Sequence, residues 1–109
     1  MSTVVKVKND STPVKVEVLV TGQSVWALSF QSASNHKRDS DDTRDIELGP
    51  GSGLIDAIDN WQFNVSHPGD NVALSLRWKQ GGEEIGRWPK DTAEGQLIYV
   101  GECLYEEAP

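Results

Sequence analysis

The chain has 109 residues and a formal net charge of -7, with 17 acidic residues against 10 basic ones. A surface with this excess of negative charge repels polyanions, so nucleic acid is excluded as an expected partner. The length fits one domain spanning 1–109, which is large enough for a hydrophobic core that needs no disulfide or structural metal.

Targeting signals are missing from the sequence as written. The N-terminal residues contain no apolar stretch of the secretory type, and no run of 18 apolar residues follows elsewhere. We therefore expect a cytoplasmic protein, while export by a non-signal route stays open. The single cysteine, Cys103, rules out a disulfide within the chain, and we expect it to be a buried thiol.

From the N-terminus onwards, short runs of alternating apolar and polar residues predict β-strands, because a period of two places every second side chain on one face. The clearest run is Val14 to Val20. Glycine, proline, asparagine and aspartate separate the runs. The predicted strands cover 3–8, 14–20, 26–30, 46–48, 60–66, 72–79, 84–88 and 96–104. The pattern predicts an all-β fold, a compact antiparallel β-sandwich of seven to eight short strands with a jelly-roll-like look.

Two stretches interrupt this pattern. Residues 32–45 contain one alanine and no larger apolar side chain, which predicts a long loop. Residues 54–60 place Leu54, Ile55 and Ile58 at spacings of three and four, which predicts one short helical turn.

Residues 60–80 carry the strongest hairpin signal. Trp61, Phe63 and Val65 alternate with polar residues before His67-Pro68-Gly69-Asp70, and an alternating run to Trp78 follows. Proline and glycine favour turn dihedrals, so we expect two paired strands joined by a tight turn.

The apolar positions of these strands define an expected core. Its predicted members are Val16, Val18, Trp26, Leu28, Phe63, Leu74, Leu76 and Trp78.

The sequence offers poor support for catalysis or for a cofactor. It contains no nucleophile-elbow, zinc-protease, phosphate-loop or paired-cysteine motif, so we expect a protein that is not an enzyme. The acidic segment 39–45 begins with the Asp39-x-Asp41 spacing of a calcium loop, but Arg44 stands where such a loop needs glycine. We expect no metal site.

A ligand site is expected at the loops. Trp88 precedes Pro89 in a polar context at a predicted strand end, where an aromatic ring could stack on a sugar. Polar side chains in neighbouring loops would bind the sugar hydroxyls. The candidate ligand-binding residues are Trp88, Asn35, Asp41, Asn60, Asp70 and Asn71.

These features favour a non-catalytic, lectin-like carbohydrate-binding protein whose partner is a glycan or glycoprotein. One alternative is a lipid- or membrane-binding sandwich of a cytolysin-like system, which would insert exposed aromatic residues into the interface. The other is a protein-interaction domain that forms a homodimer. Sequence patterns alone leave the ligand and the oligomeric state open.

Overall fold

A computed structural model of the chain describes residues 2–22, 25–32, 37–41, 44–65, 72–94 and 98–109, without the side chains of residues 37, 38, 40, 41 and 90–94. This part of the chain contains nine strands and one short 3-10 helix. They are β1 (Ser2–Val7), β2 (Pro13–Thr21), β3 (Trp26–Ser32), β4 (Lys37–Asp41), β5 (Asp45–Pro50), the 3-10 helix (Gly51–Gly53), β6 (Ile58–Val65), β7 (Ala73–Gln80), β8 (Glu83–Glu94) and β9 (Ile98–Glu107).

The strands form two sheets that pack face to face. One sheet has the order β1-β9-β6-β3-β4, and the other has the order β5-β2-β7-β8. Among the described residues, the pairing of β1 with β9 is parallel and the other pairings are antiparallel. The predicted all-β sandwich is confirmed, with one parallel edge pair that the alternation of side chains could not indicate.

The predicted hairpin of residues 60–80 is wrong. Within the described residues, β6 pairs with β3 and β9 in the five-stranded sheet, whereas β7 pairs with β2 and β8 in the other sheet. Both strands turn their apolar residues inward, and they do so from opposite sides of the core. Burying two apolar faces against each other removes more apolar surface from water than placing them side by side in one sheet.

The tight hairpin of this fold joins β7 to β8 instead. Gly81 and Gly82 have φ angles of 60° and 85°, and Gln80 pairs with Glu83 across them. Two central residues with positive φ make the turn whose twist suits a two-residue hairpin, and glycine adopts that conformation without steric cost.

The helical element lies earlier than the predicted range 54–60. The 3-10 helix occupies Gly51–Gly53, and Ile58 already begins β6. Asp56 has a φ of 63°, so a right-handed helix cannot continue through it.

Gln80 secures the connection between β1 and β2 from inside the fold. Its buried side-chain amide accepts from the Lys8 backbone N–H at 2.8 Å and donates to the carbonyl oxygens of Lys8 and Thr12, each at 3.1 Å. Gly51 packs against this amide. A side chain at position 51 would not fit, because its Cβ would lie 2.2 Å from the Lys8 carbonyl oxygen. A buried amide with all three of these bonds fixes the turn to the end of β7.

The predicted loop of residues 32–45 contains β4, which pairs with β3 from Ala27↔Asp41 to Gln31↔Lys37. Charged residues are common on edge strands, where they discourage pairing with other chains. The low apolar content of this stretch therefore reflects an edge strand.

The core prediction is confirmed, since all eight predicted residues are buried. Aromatic rings pack within the core, with Phe30 and Trp78 of opposite sheets edge to face at 6.3 Å between centroids and Trp26 and Phe63 of the same sheet at 5.4 Å. Helices long and apolar enough to cross a bilayer are not found in the described part of the chain.

We expect Leu76→Ala to lower the free energy of unfolding by about 2–5 kcal/mol, because it removes a fully buried side chain and leaves a cavity. Ile98→Ala is the control, since this residue is 57% exposed and should change stability by less than about 0.5 kcal/mol. Urea unfolding of both variants is the measurement. Equal losses in the two variants would contradict the assignment of inward and outward faces.

Candidate functional site

The outer face of the four-stranded sheet carries complementary charges that pair with one another. Lys79 lies 3.1 Å from Glu17 on the neighbouring strand, and Glu84 lies 3.7 Å from Arg77. A hydrogen bond from Arg87 to Glu84 at 2.9 Å lowers the pKa of that carboxyl group. The charged groups of this face are largely neutralised by their neighbours.

The outer face of the five-stranded sheet is different, because amides and aliphatic residues occupy its centre, while its ion pair between Lys6 and Glu106 lies at the edge strand β1. At its centre, β3, β6 and β9 together form an open depression of about 440 Å³. Small-molecule sites commonly measure about 300–1,000 Å³. The lining residues are Ser29, Gln31, Asn60, Trp61, Gln62, Val100, Gly101 and Glu102.

We call this depression, with its rim and its floor, the amide face. Two rows of cross-strand neighbours make up its rim. The register places Ser29, Gln62 and Val100 in one row, and Gln31, Asn60 and Glu102 in the next. Neighbouring strands lie about 4.8 Å apart, so each row spans about 10 Å. The arrangement offers hydrogen-bond donors and acceptors over the width of a small ligand.

The floor of the amide face is formed by Trp61 and Gly101, which oppose each other in the register of β6 and β9. The indole of Trp61 lies so close to Gly101 that a Cβ there would come within 2.6 Å of the ring. The buried Trp61 Nε1 has no acceptor among the described residues. The missing side chain at Gly101 therefore makes room for the tryptophan below the depression.

Trp88 lies behind this floor, in the core. Its exposure is 6%, and its ring packs edge to face against Trp61 at 4.6 Å and against Tyr99 at 6.0 Å. The expectation that Trp88 stands exposed at a strand end is wrong. The strand β8 continues through Pro89 to Glu94, because β8 is an edge strand and tolerates a proline. Trp88 supports the amide face from inside and offers no open ring for stacking.

The other five predicted ligand residues lie in different parts of the chain, and the structure describes only some of them. Asn60 lies exposed in the amide face. Asp41 belongs to β4, where its backbone pairs with Ala27 in the same sheet, but its side chain is outside the described part. Asn35, Asp70 and Asn71 lie outside the described residues. The structure thus assigns a place in the depression to one of the six candidates.

Sequence reasoning missed most of the residues of the amide face. Gln62 alternates with the apolar residues of β6, and Glu102 does the same in β9, so the outward direction of each was readable. The sequence could not predict that these side chains lie next to each other, because this depends on β6 lying between β3 and β9.

A buried polar network lies on the opposite side of the same two strands. Tyr105 donates from its hydroxyl to Asp59 Oδ2 at 2.8 Å, and the Cys103 thiol lies 3.1 Å from that hydroxyl. Burial raises the pKa of Cys103 to about 12 and raises that of Tyr105 as well. A buried thiol held protonated in this way is a poor nucleophile.

Metal-binding clusters of three or more His, Cys, Asp or Glu side chains do not occur among the described residues. Comparison with known proteins adds no relative, since no family model, no curated protein and no solved structure matches this chain.

We expect Trp88→Ala to lower the free energy of unfolding by about 3–5 kcal/mol, because it removes a buried ring that packs on Trp61 and Tyr99. Arg87→Ala is a suitable control, since Arg87 is the exposed neighbour on the same strand. Chemical unfolding of the two variants decides the matter. A Trp88 variant as stable as the Arg87 variant would mean that the ring is not part of the core.

We expect Gly101→Ala to displace the Trp61 indole and to lower the melting temperature, because the added Cβ would collide with a ring that the core holds in place. Gly53→Ala is the matched control, since a Cβ there has its nearest neighbour at 3.8 Å. Near-ultraviolet circular dichroism and a thermal melt report the two effects. An unchanged aromatic spectrum for Gly101→Ala would show that the indole does not lie on this glycine.

Proposed function

We propose that this protein is a non-catalytic carbohydrate-binding protein and that the amide face is its sugar site. The observation that carries the proposal is the grouping of Gln31, Asn60 and Gln62 around an open depression on a sheet face. An amide group both donates and accepts hydrogen bonds, as a sugar hydroxyl does. A set of neutral amides therefore matches a ligand that presents many hydroxyls.

The aliphatic edge of the amide face supports the same proposal. Val100 is 62% exposed beside Gln62, and Ile98, two residues earlier in β9, lies on the same face. Sugar rings carry C–H groups as well as hydroxyls, and burying apolar area contributes about 25 cal/mol per Å². In this proposal the aliphatic side chains, and not the Trp88 ring, make the apolar contact with the sugar.

The non-catalytic part of the proposal rests on the ionisable groups of the depression. Glu102 is the one ionisable side chain among the described residues that line it. Hydrolysis of a glycosidic bond ordinarily uses two carboxyl groups placed on either side of the bond. A single carboxylate among amides supports binding better than cleavage.

The lipid-binding alternative loses its main argument. It relied on exposed aromatic residues, yet all four tryptophans are buried. The large apolar side chains that stand exposed among the described residues are aliphatic, namely Val4, Val25, Ile58, Ile98 and Val100.

Homodimer formation is the second candidate, because Val100 in the amide face and Ile58 and Ile98 on the same side of the sheet are exposed. Apolar side chains on an open sheet can gain burial against a second copy. Light scattering at two concentrations tests this candidate. A dimer that Val100→Lys dissociates, together with a lack of sugar binding, would favour it over the carbohydrate proposal.

We expect Asn60→Ala and Gln62→Ala each to weaken sugar binding about three- to tenfold, which corresponds to the loss of about one hydrogen bond. The melting temperature should not change, because both side chains are exposed. A glycan array identifies the ligand and calorimetry measures the affinity.

The matched control for these variants is Asn9→Ala. Asn9 is another exposed amide, and it bonds to Glu107 at the far end of β9 from the amide face. Sugar binding that is absent at millimolar ligand, or that all three variants weaken equally, would refute the proposed site.

A further inference from the structure

Several surface carboxylates among the described residues have a cationic partner, whereas Glu102 belongs to those that have none. Glu17 pairs with Lys79, Glu83 with Lys8, and Glu106 with Lys6. Glu102 has a hydroxyl partner instead, since Ser2 Oγ donates to its Oε1 at 2.7 Å. Its second oxygen, Oε2, makes no bond within the described residues.

The position of Glu102 distinguishes it from other carboxylates without a cation. Glu47, for example, also lacks an ion pair within the described residues, but it lies exposed on the edge strand β5 and does not line the depression. Glu102 lines the amide face and stands directly opposite Asn60 in the register of β6 and β9. A carboxylate oriented by a hydroxyl and surrounded by neutral amides is ready to bind a cation without first breaking an internal ion pair.

We propose that the ligand of the amide face is an amino sugar whose ammonium group pairs with Glu102. This inference rests on the proposed function, and it specifies the class of sugar. The ammonium donates to the free carboxylate oxygen, while Asn60 and Gln62 bind the ring hydroxyls and Val100 contacts the C–H groups. The net charge of -7 attracts a cationic ligand and repels acidic sugars.

The test compares two sugars that differ in one charge. Calorimetry measures the binding of a tetramer of glucosamine and of its N-acetylated counterpart, at a pH where the free amines are protonated. The glucosamine tetramer should bind about three- to tenfold more tightly, the gain expected from one charged hydrogen bond that remains partly exposed to water. Raising the salt concentration should reduce this preference, because salt screens exposed charges.

Glu102→Gln should remove the preference, so that this variant binds the two tetramers with affinities within about twofold of each other. Glu106→Gln is the matched control, since it makes the same change on the same strand and the same face but at a carboxylate already paired with Lys6. It should keep the preference.

Ser2→Ala is a second variant, and it should reduce the preference by freeing the Glu102 carboxylate to rotate. Both glutamates are at least partly exposed, so thermal melts should show folded proteins.

The failures of the two proposals look different. If the N-acetylated tetramer binds as tightly as the amine, and Asn60→Ala weakens both, the amino-sugar inference is overturned while the carbohydrate proposal stands. If neither tetramer nor any arrayed glycan binds, both are overturned. If spermidine binds as tightly as the glucosamine tetramer in a Glu102-dependent manner, the face recognises a cation and not a sugar, which also overturns the inference.

Discussion

The contact between Trp61 and Gly101 is the constraint on which the amide face depends. Strand β9 places a glycine at a position where its inward neighbours are large, and the Trp61 indole fills the space that a side chain would occupy. Trp88 closes the stack from the other sheet at 4.6 Å. The floor of the depression thus depends on inner packing, because protein cores are dense and a ring without space would move the strands apart.

The two outer faces of the sandwich present different kinds of polar side chain to the solvent. On the four-stranded sheet, basic and acidic side chains on adjacent strands neutralise one another, as between Lys79 and Glu17. Such pairs add little stability at the surface, but they leave few groups free to bind a partner. The amide face keeps its polar groups largely uncommitted, with a bond between Gln62 and Asn64 as its main internal contact. This difference is the physical reason to look for a ligand on one face and not on the other.

Sequence periodicity predicted which side chains point inward, but it could not predict which strands are neighbours. The core residues from Val16 to Trp78 follow from a period of two, which is a local property of each strand. The pairing of β6 with β9 joins residues about forty positions apart, and no local signal encodes it. The hairpin prediction failed for this reason, since an alternating strand can satisfy its apolar face in either sheet. Trp88 was misplaced because a proline after it was interpreted as a strand end, whereas an edge strand can accommodate proline.

The register between β6 and β9 links the buried network to the proposed site. Asp59 pairs with Cys103 on the inner side, and the next pair, Asn60 with Glu102, faces outward. A slip of one residue would expose Asp59 and bury Asn60, since side chains alternate between the two faces. The hydrogen bond from Tyr105 to Asp59 opposes such a slip, because breaking it would leave the buried Tyr105 hydroxyl without its acceptor. The inner polar groups therefore help to determine the position of the outer ones, and the arrangement of the amide face depends on a polar network buried behind it.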